Sequence, residues 1–138
     1  MTTYTPGQAL PTLDRQVNKE HVRAYAEASG DHNPLHLDES FAATTQFGKP
    51  IAHGMLALAI VSEMLAQSFG QHWLTAGSLK ARFKGPVYVG EGISISALVS
   101  KESLEGDSRL LTCNVTLKNS RGEEAVTATA TVAVPGNL

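Results

Sequence analysis

Several chemistries are closed off by what this chain has little of. It contains one cysteine, Cys113, among 138 residues, which excludes an intramolecular disulfide and any cysteine-rich metal site. A single thiol suits a reducing compartment, and a cytoplasmic location is the expectation. Long hydrophobic runs are missing too. The longest, Met55 to Val61, is followed by Ser62 and Glu63, whereas a membrane span needs roughly 20 predominantly apolar residues. Positive charge is sparse. The formal net charge is -2, and the nearest thing to a basic cluster, Lys80, Arg82 and Lys84, alternates along one expected strand face. Neither nucleic acid nor a membrane is therefore an expected partner. The segment Met1 to Gly7 has no basic stretch and no apolar stretch, so export is not expected.

What is present is enough for one folded unit. With 42% hydrophobic residues, residues 1–138 can bury a core without a metal or disulfide to hold it, and a single domain is expected. Leu10 to Val17 reads as a strand. Asn18 is a suitable N-cap, and Val22, Tyr25, Ala26 and Ser29 recur at helical spacing up to Gly30. Asp38 is placed to cap a short helix carrying Phe41, Ala42 and Phe47, which Pro50 ends. Gly54 to Phe69 then reads as a helix of about 24 Å. It is apolar almost all round, the pattern of a helix enclosed by other structure.

After Gly70 the hydrophobic period becomes two. The expected strands run over Thr75 to Phe83, Ile93 to Ser100, Leu111 to Leu117 and Val126 to Val134, with turns at Glu105-Gly106-Asp107 and Asn119 to Gly122. Pro135 to Leu138 reads as a frayed tail. An antiparallel sheet with one apolar face must cover it, and the apolar helix is the obvious cover. The expected class is α+β, with a curved antiparallel sheet wrapped around a central helix.

Residues 29–55 carry the polar chemistry: Ser29-Gly30-Asp31-His32-Asn33-Pro34-Leu35-His36, then Ala52-His53-Gly54-Met55. A carboxylate, a carboxamide and an imidazole fall within six positions of a loop that Pro34 restricts. Such groups can hold one water between them, and a carboxylate beside an imidazole raises the imidazole pKa. Gly54 opens the apolar helix, where backbone N–H groups lack intrahelical partners and can bind developing negative charge. Plainer readings stand beside these. Asp31 also suits a turn, Asn33 an Asx-turn before Pro34, Gly54 close packing, His53 a structural place at the helix start, and Ser62 a bond within its own helix. His21, His32 and His72 are expected to face solvent. Two rival constellations remain open: a metal site of Asp31, His36 and His53, and a Ser62–His36–Asp31 triad. Against the first, the histidines flank different elements. Against the second, a mid-helix serine lacks the exposed turn that nucleophiles occupy.

The stretch Tyr25 to His36, with Asp38, Phe41-Ala42, Phe47 and Ile51-Ala52-His53-Gly54-Met55, resembles the MaoC-like family and, within it, the (R)-specific enoyl-CoA hydratases. The resemblance implies a hot-dog fold, an acyl tunnel and a homodimer joined sheet edge to sheet edge. It further implies that Asp31 and His36 carry the chemistry, that the Gly54 N–H binds the thioester oxygen, and that Asn33 and Ser62 assist. The expected reaction is reversible hydration of trans-2-enoyl-CoA to (R)-3-hydroxyacyl-CoA. It needs no metal or other cofactor, CoA being part of the substrate. Alternatives on the same fold are an acyl-CoA thioesterase, a (3R)-hydroxyacyl-carrier-protein dehydratase and a non-catalytic acyl-binding subunit.

Overall fold

The computed structural model describes residues 3–136. Its elements follow in the order β1 (Leu13–Gln16), α1 (Lys19–Ser29), α2 (Pro34–Leu37), α3 (Glu39–Ala42), α4 (Gly54–Phe69), α5 (Gln71–Ala76), β2 (Gly77–Phe83), β3 (Gly92–Glu105), β4 (Ser108–Lys118) and β5 (Glu124–Pro135). The strands form one antiparallel sheet in the order β1-β3-β4-β5-β2, so β1 and β2 are its two edges. The sheet curves around α4 in the hot-dog arrangement expected from the order of elements.

The period-two pattern explains the core. Ile93, Ile95, Ala97 and Val99 on β3, Leu111, Cys113, Val115 and Leu117 on β4, and Val126 to Val134 at alternate positions on β5 are buried on one face. Ala57, Ile60, Val61, Met64, Leu65 and Phe69 of α4 join them in one hydrophobic cluster. Each fully buried aliphatic side chain contributes about 1.5–3 kcal/mol relative to exposure. An ion pair on the flank of this contact, Arg15 of β1 with Glu63 of α4 at 2.6 Å, links the edge strand to the helix.

Several expectations need correction. The helix α4 is not enclosed all round: Met55 is 58% exposed, Ala59 is exposed and Ser62 is half-buried, leaving an open stripe at i, i+4 and i+7. The first strand is shorter than Leu10 to Val17, because Pro11 has no N–H to give the ladder. The preceding chain still follows β3 through Leu10 N–H to the Ala97 carbonyl at 2.9 Å. The strand expected from Thr75 begins at Gly77, because α5 takes Gln71–Ala76. Its Trp73 is buried and donates its indole N–H to the Ser62 hydroxyl at 2.9 Å, a tertiary anchor that period alone does not reveal. At the other end, Pro135 is in β5 and the Gly136 N–H donates to the Asp107 carbonyl at 2.7 Å. That part of the expected frayed tail is therefore tied down, and Asn137 and Leu138 lie outside the described residues.

Candidate active site

The termini of α1, α2 and α4 build the site. Asn18 caps α1 reciprocally: its side chain accepts from the His21 N–H, and the His21 ring accepts from the Asn18 N–H. Gly30 ends the helix in the left-handed conformation (φ 80), its N–H bonded to the Ala26 carbonyl. That turn throws Asp31 into an exposed loop, where the Asn33 N–H donates to its carboxylate at 3.2 Å. The Asn33 side chain accepts from the Leu35 N–H at 3.0 Å and caps α2, with Pro34 at its first position. The Asn33 side chain thus makes the local turn, while its backbone N–H holds Asp31.

His36 is half-buried on α2. Its Nδ1 lies 2.7 Å from the Ile51 carbonyl. A carbonyl can only accept, so the proton sits on Nδ1 and Nε2 carries the lone pair. The His36 pKa is lowered. Burial is the largest cause, aided by His53, and outweighs the upward pull of the Ile51 carbonyl and of Asp31. The expectation that the neighbouring carboxylate sets the direction is therefore reversed.

His53 is buried. By the same reasoning its Nε2 donates to the Asp31 carbonyl at 3.0 Å. Its Nδ1 is then an acceptor without a hydrogen-bond partner among the described residues. The ring stacks on His36 with centroids 3.9 Å apart and meets Tyr25 at 4.7 Å. His53 thereby clamps the Asp31 loop onto the start of α4. Histidines 21 and 32 are exposed as expected, whereas His72 is half-buried.

Asp31, His36 and His53 each offer one donor atom, all within 4.8 Å of one another. Their belonging to different elements thus does not keep them apart, and the objection to a metal site on that ground falls. The ring nitrogens not already bonded to a carbonyl are His36 Nε2 and His53 Nδ1, and zinc bonds of about 2.0–2.1 Å would draw them closer than the 4.8 Å limit.

Gly54 is the first residue of α4, and no side chain among the described residues caps that helix. Its N–H therefore stands at an open positive helix end. A cavity of about 380 Å³ lies against it, lined by His53, Gly54, Ala57, Phe83 and Val126 among others. His36 lines a second cavity of about 330 Å³, together with Lys19, Arg23 and Lys49. The stacked pair thus contributes one ring to each cavity. Ser62 is elsewhere. It lies eight residues along α4, about 12 Å by helical rise, and lines a different groove with Met55, Leu58 and Trp73.

Two contacts escaped the sequence reading. Tyr25 falls within the motif but appeared only as an apolar helix position, and Phe83 appeared only as the end of an expected strand. Nothing in spacing signals that the Phe83 ring rests against Gly54.

Comparison with known proteins bears on the family and the fold. The family description "MaoC like domain" matches residues 2–121. An (R)-specific enoyl-CoA hydratase of Aeromonas caviae is 38% identical over 124 residues, 89% of this chain and 90% of that protein. A 3-hydroxybutyryl-CoA dehydratase of Methylorubrum extorquens is 32% identical over 114 residues, 83% of this chain and 70% of that protein. Among solved structures, an (R)-hydratase from A. caviae involved in PHA biosynthesis superposes with a TM-score of 0.82 at 34% identity, covering 98% of this chain and 100% of that one.

Proposed function

From its membership of the MaoC-like domain family, to which this chain belongs, and as a hydro-lyase like its relatives, we propose that it adds water reversibly to a trans-2-enoyl-CoA thioester, giving the (R)-3-hydroxyacyl-CoA. Hydratase and dehydratase describe opposite directions of that one equilibrium. The observation that carries the reading is the Asp31–His36 pair, with the His36 lone pair fixed on Nε2, linked through the stacked ring of His53 to the helix start at Gly54.

In this reading Asp31 and His36 bind one water. One of the pair takes a proton from it as its oxygen bonds to C3 of the substrate, and the C2–C3 π electrons move onto the thioester oxygen. The Gly54 N–H meets that enolate oxygen. A proton delivered to C2 from the same pair then completes syn addition of H and OH. Which member delivers it belongs to the coupled pair rather than to either residue. Asn33 supports through its backbone hold on Asp31, His53 by orienting the loop, and Ser62 as a wall of the groove beside α4. No step needs a metal or a further cofactor, and CoA is part of the substrate.

We also propose a homodimer. The open stripe Met55–Ala59–Ser62 and the free edge of β2 leave apolar surface and unpaired backbone that a second copy would cover.

The test is the loss of the conjugated thioester absorbance of crotonyl-CoA, followed by oxidation of the product with stereospecific dehydrogenases. Oxidation only by an (R)-specific enzyme is expected. Free thiol released from a saturated acyl-CoA, without hydration of crotonyl-CoA, would replace this reading with a thioesterase. Ligand binding without either reaction would leave an acyl-binding subunit.

A further inference from the structure

Phe83 is a large aromatic side chain left 54% exposed at the end of an edge strand, which core packing does not explain. Its backbone is firmly held. It pairs with Val126 of β5, and the next two N–H groups, of Lys84 and Gly85, both donate to the Ala125 carbonyl at 2.8 and 3.2 Å. The ring is aimed at the start of α4. Its Cε1 and Cδ1 stand 3.2 and 3.3 Å from the point where a side chain at position 54 would begin. The space a Cβ of residue 54 would take is thus bordered by this ring. Phe83 and Gly54 also line the same cavity of about 380 Å³.

We propose that Phe83 is a positioning residue of the Gly54 site: its ring walls the thioester end of the pocket and keeps water off the hydrogen bond between the Gly54 N–H and the enolate oxygen. The inference rests on the hydratase reading above. A hydrogen bond to developing charge strengthens as the local dielectric falls. An aromatic edge beside the donor lowers it without supplying a competing polar group. A ring against the Gly54 backbone also leaves the thioester fewer ways to lie, so the carbonyl is held on the N–H rather than near it.

The experiment compares wild type with Phe83→Leu, Phe83→Ala and Phe83→Tyr. The probe is dimethylaminocinnamoyl-CoA, whose absorption moves to longer wavelength as its carbonyl is polarised. Wild type and Phe83→Tyr, which keeps the ring, are expected to give the full red shift. Phe83→Leu and Phe83→Ala should give a smaller one, with kcat on crotonyl-CoA down about tenfold, less than removal of an oxyanion donor itself. An unchanged red shift, or a rise in KM with kcat intact, overturns the proposal, because that pattern marks binding surface alone. Phe83→Leu carries the test if the alanine variant fails to fold. Failure of the hydratase reading is distinguishable, since wild type itself would then fail to hydrate crotonyl-CoA whatever the probe shows.

Discussion

His36 Nδ1 and the Ile51 carbonyl, 2.7 Å apart, settle which nitrogen of the imidazole is available. Protonation of Nε2 removes the lone pair and with it the ability to accept a proton from water. Since burial lowers the His36 pKa, the acid limb of the kcat/KM profile is expected below the ordinary histidine value of about 6.5. A limb above that value would contradict the assignment. The same direction affects stability. As pH falls below about 6.5, the unfolded chain takes up this proton before the folded one does. The His36 contribution is therefore complete above 6.5 and declines as pH falls through the folded pKa. Melting temperatures between about pH 5 and 8 should show a shallower acid decline in His36→Gln.

Asp31→Asn keeps the shape of the side chain but removes its charge. Asp31 is exposed, and its carboxylate accepts a local N–H, so stability should move by less than about 0.5 kcal/mol. Crotonyl-CoA hydration should fall by about 10²–10⁴, the range of a lost acid–base group. If both Asp31→Asn and His36→Gln turned over at near wild-type rates, the water-binding pair would have to be sought elsewhere.

Gly54→Ala separates backbone tolerance from function. Position 54 has no positive φ, and the half-exposed Phe83 ring can give way, so the melting temperature should change little. Turnover should nevertheless fall, because the methyl group displaces the ring from the helix start. Combining Gly54→Ala with Phe83→Ala should then cost less in kcat than the two losses multiplied, measurable as a double-mutant cycle. Strict multiplicativity would mean that the two residues act independently.

Ser62→Ala is expected to report on structure. The buried Trp73 indole would lose its acceptor, destabilising the fold by about 1–3 kcal/mol. The kcat on a short substrate such as crotonyl-CoA should stay within a few-fold of wild type. A drop of a hundredfold at unchanged stability would bring Ser62 into the chemistry.

Exhaustive dialysis against a chelator, followed by assay in metal-free buffer, tests whether the Asp31–His36–His53 cluster works without a cation. Full retained activity is expected. Loss restored by zinc would make the cluster a metal centre.

Local rules made much of this molecule readable. Asn18, Gly30 and Asp38 mark helix ends through side-chain and backbone preferences that act within a few residues, and the structure uses each as expected. The alternation in β3, β4 and β5 shows which side is buried because each strand has one covered face. What could not be read depends on contacts across the fold. Trp73 becomes a core residue through Ser62 and so turns the start of an expected strand into α5. Met55 looks buried by composition but belongs to a stripe that this chain leaves open. At the site, Asp31, His36 and Gly54 stood out because polar groups and a glycine were crowded into a short motif. The lowered His36 pKa depends on burial beside His53, and the Phe83 contact on how β2 meets α4. Neither has a local signature.

The buried Nδ1 of His53 has a bearing on how this protein can change over time. Taking a ring nitrogen out of bulk water costs desolvation that an apolar side chain would not, and it persists in a residue whose other nitrogen binds the Asp31 loop. Stability and activity therefore pull in opposite directions at one side chain. Selection for robustness alone would drift toward a residue without that nitrogen, loosening the loop as it did so. Selection for turnover keeps the imidazole and must find its stability in the sheet, far from the chemistry.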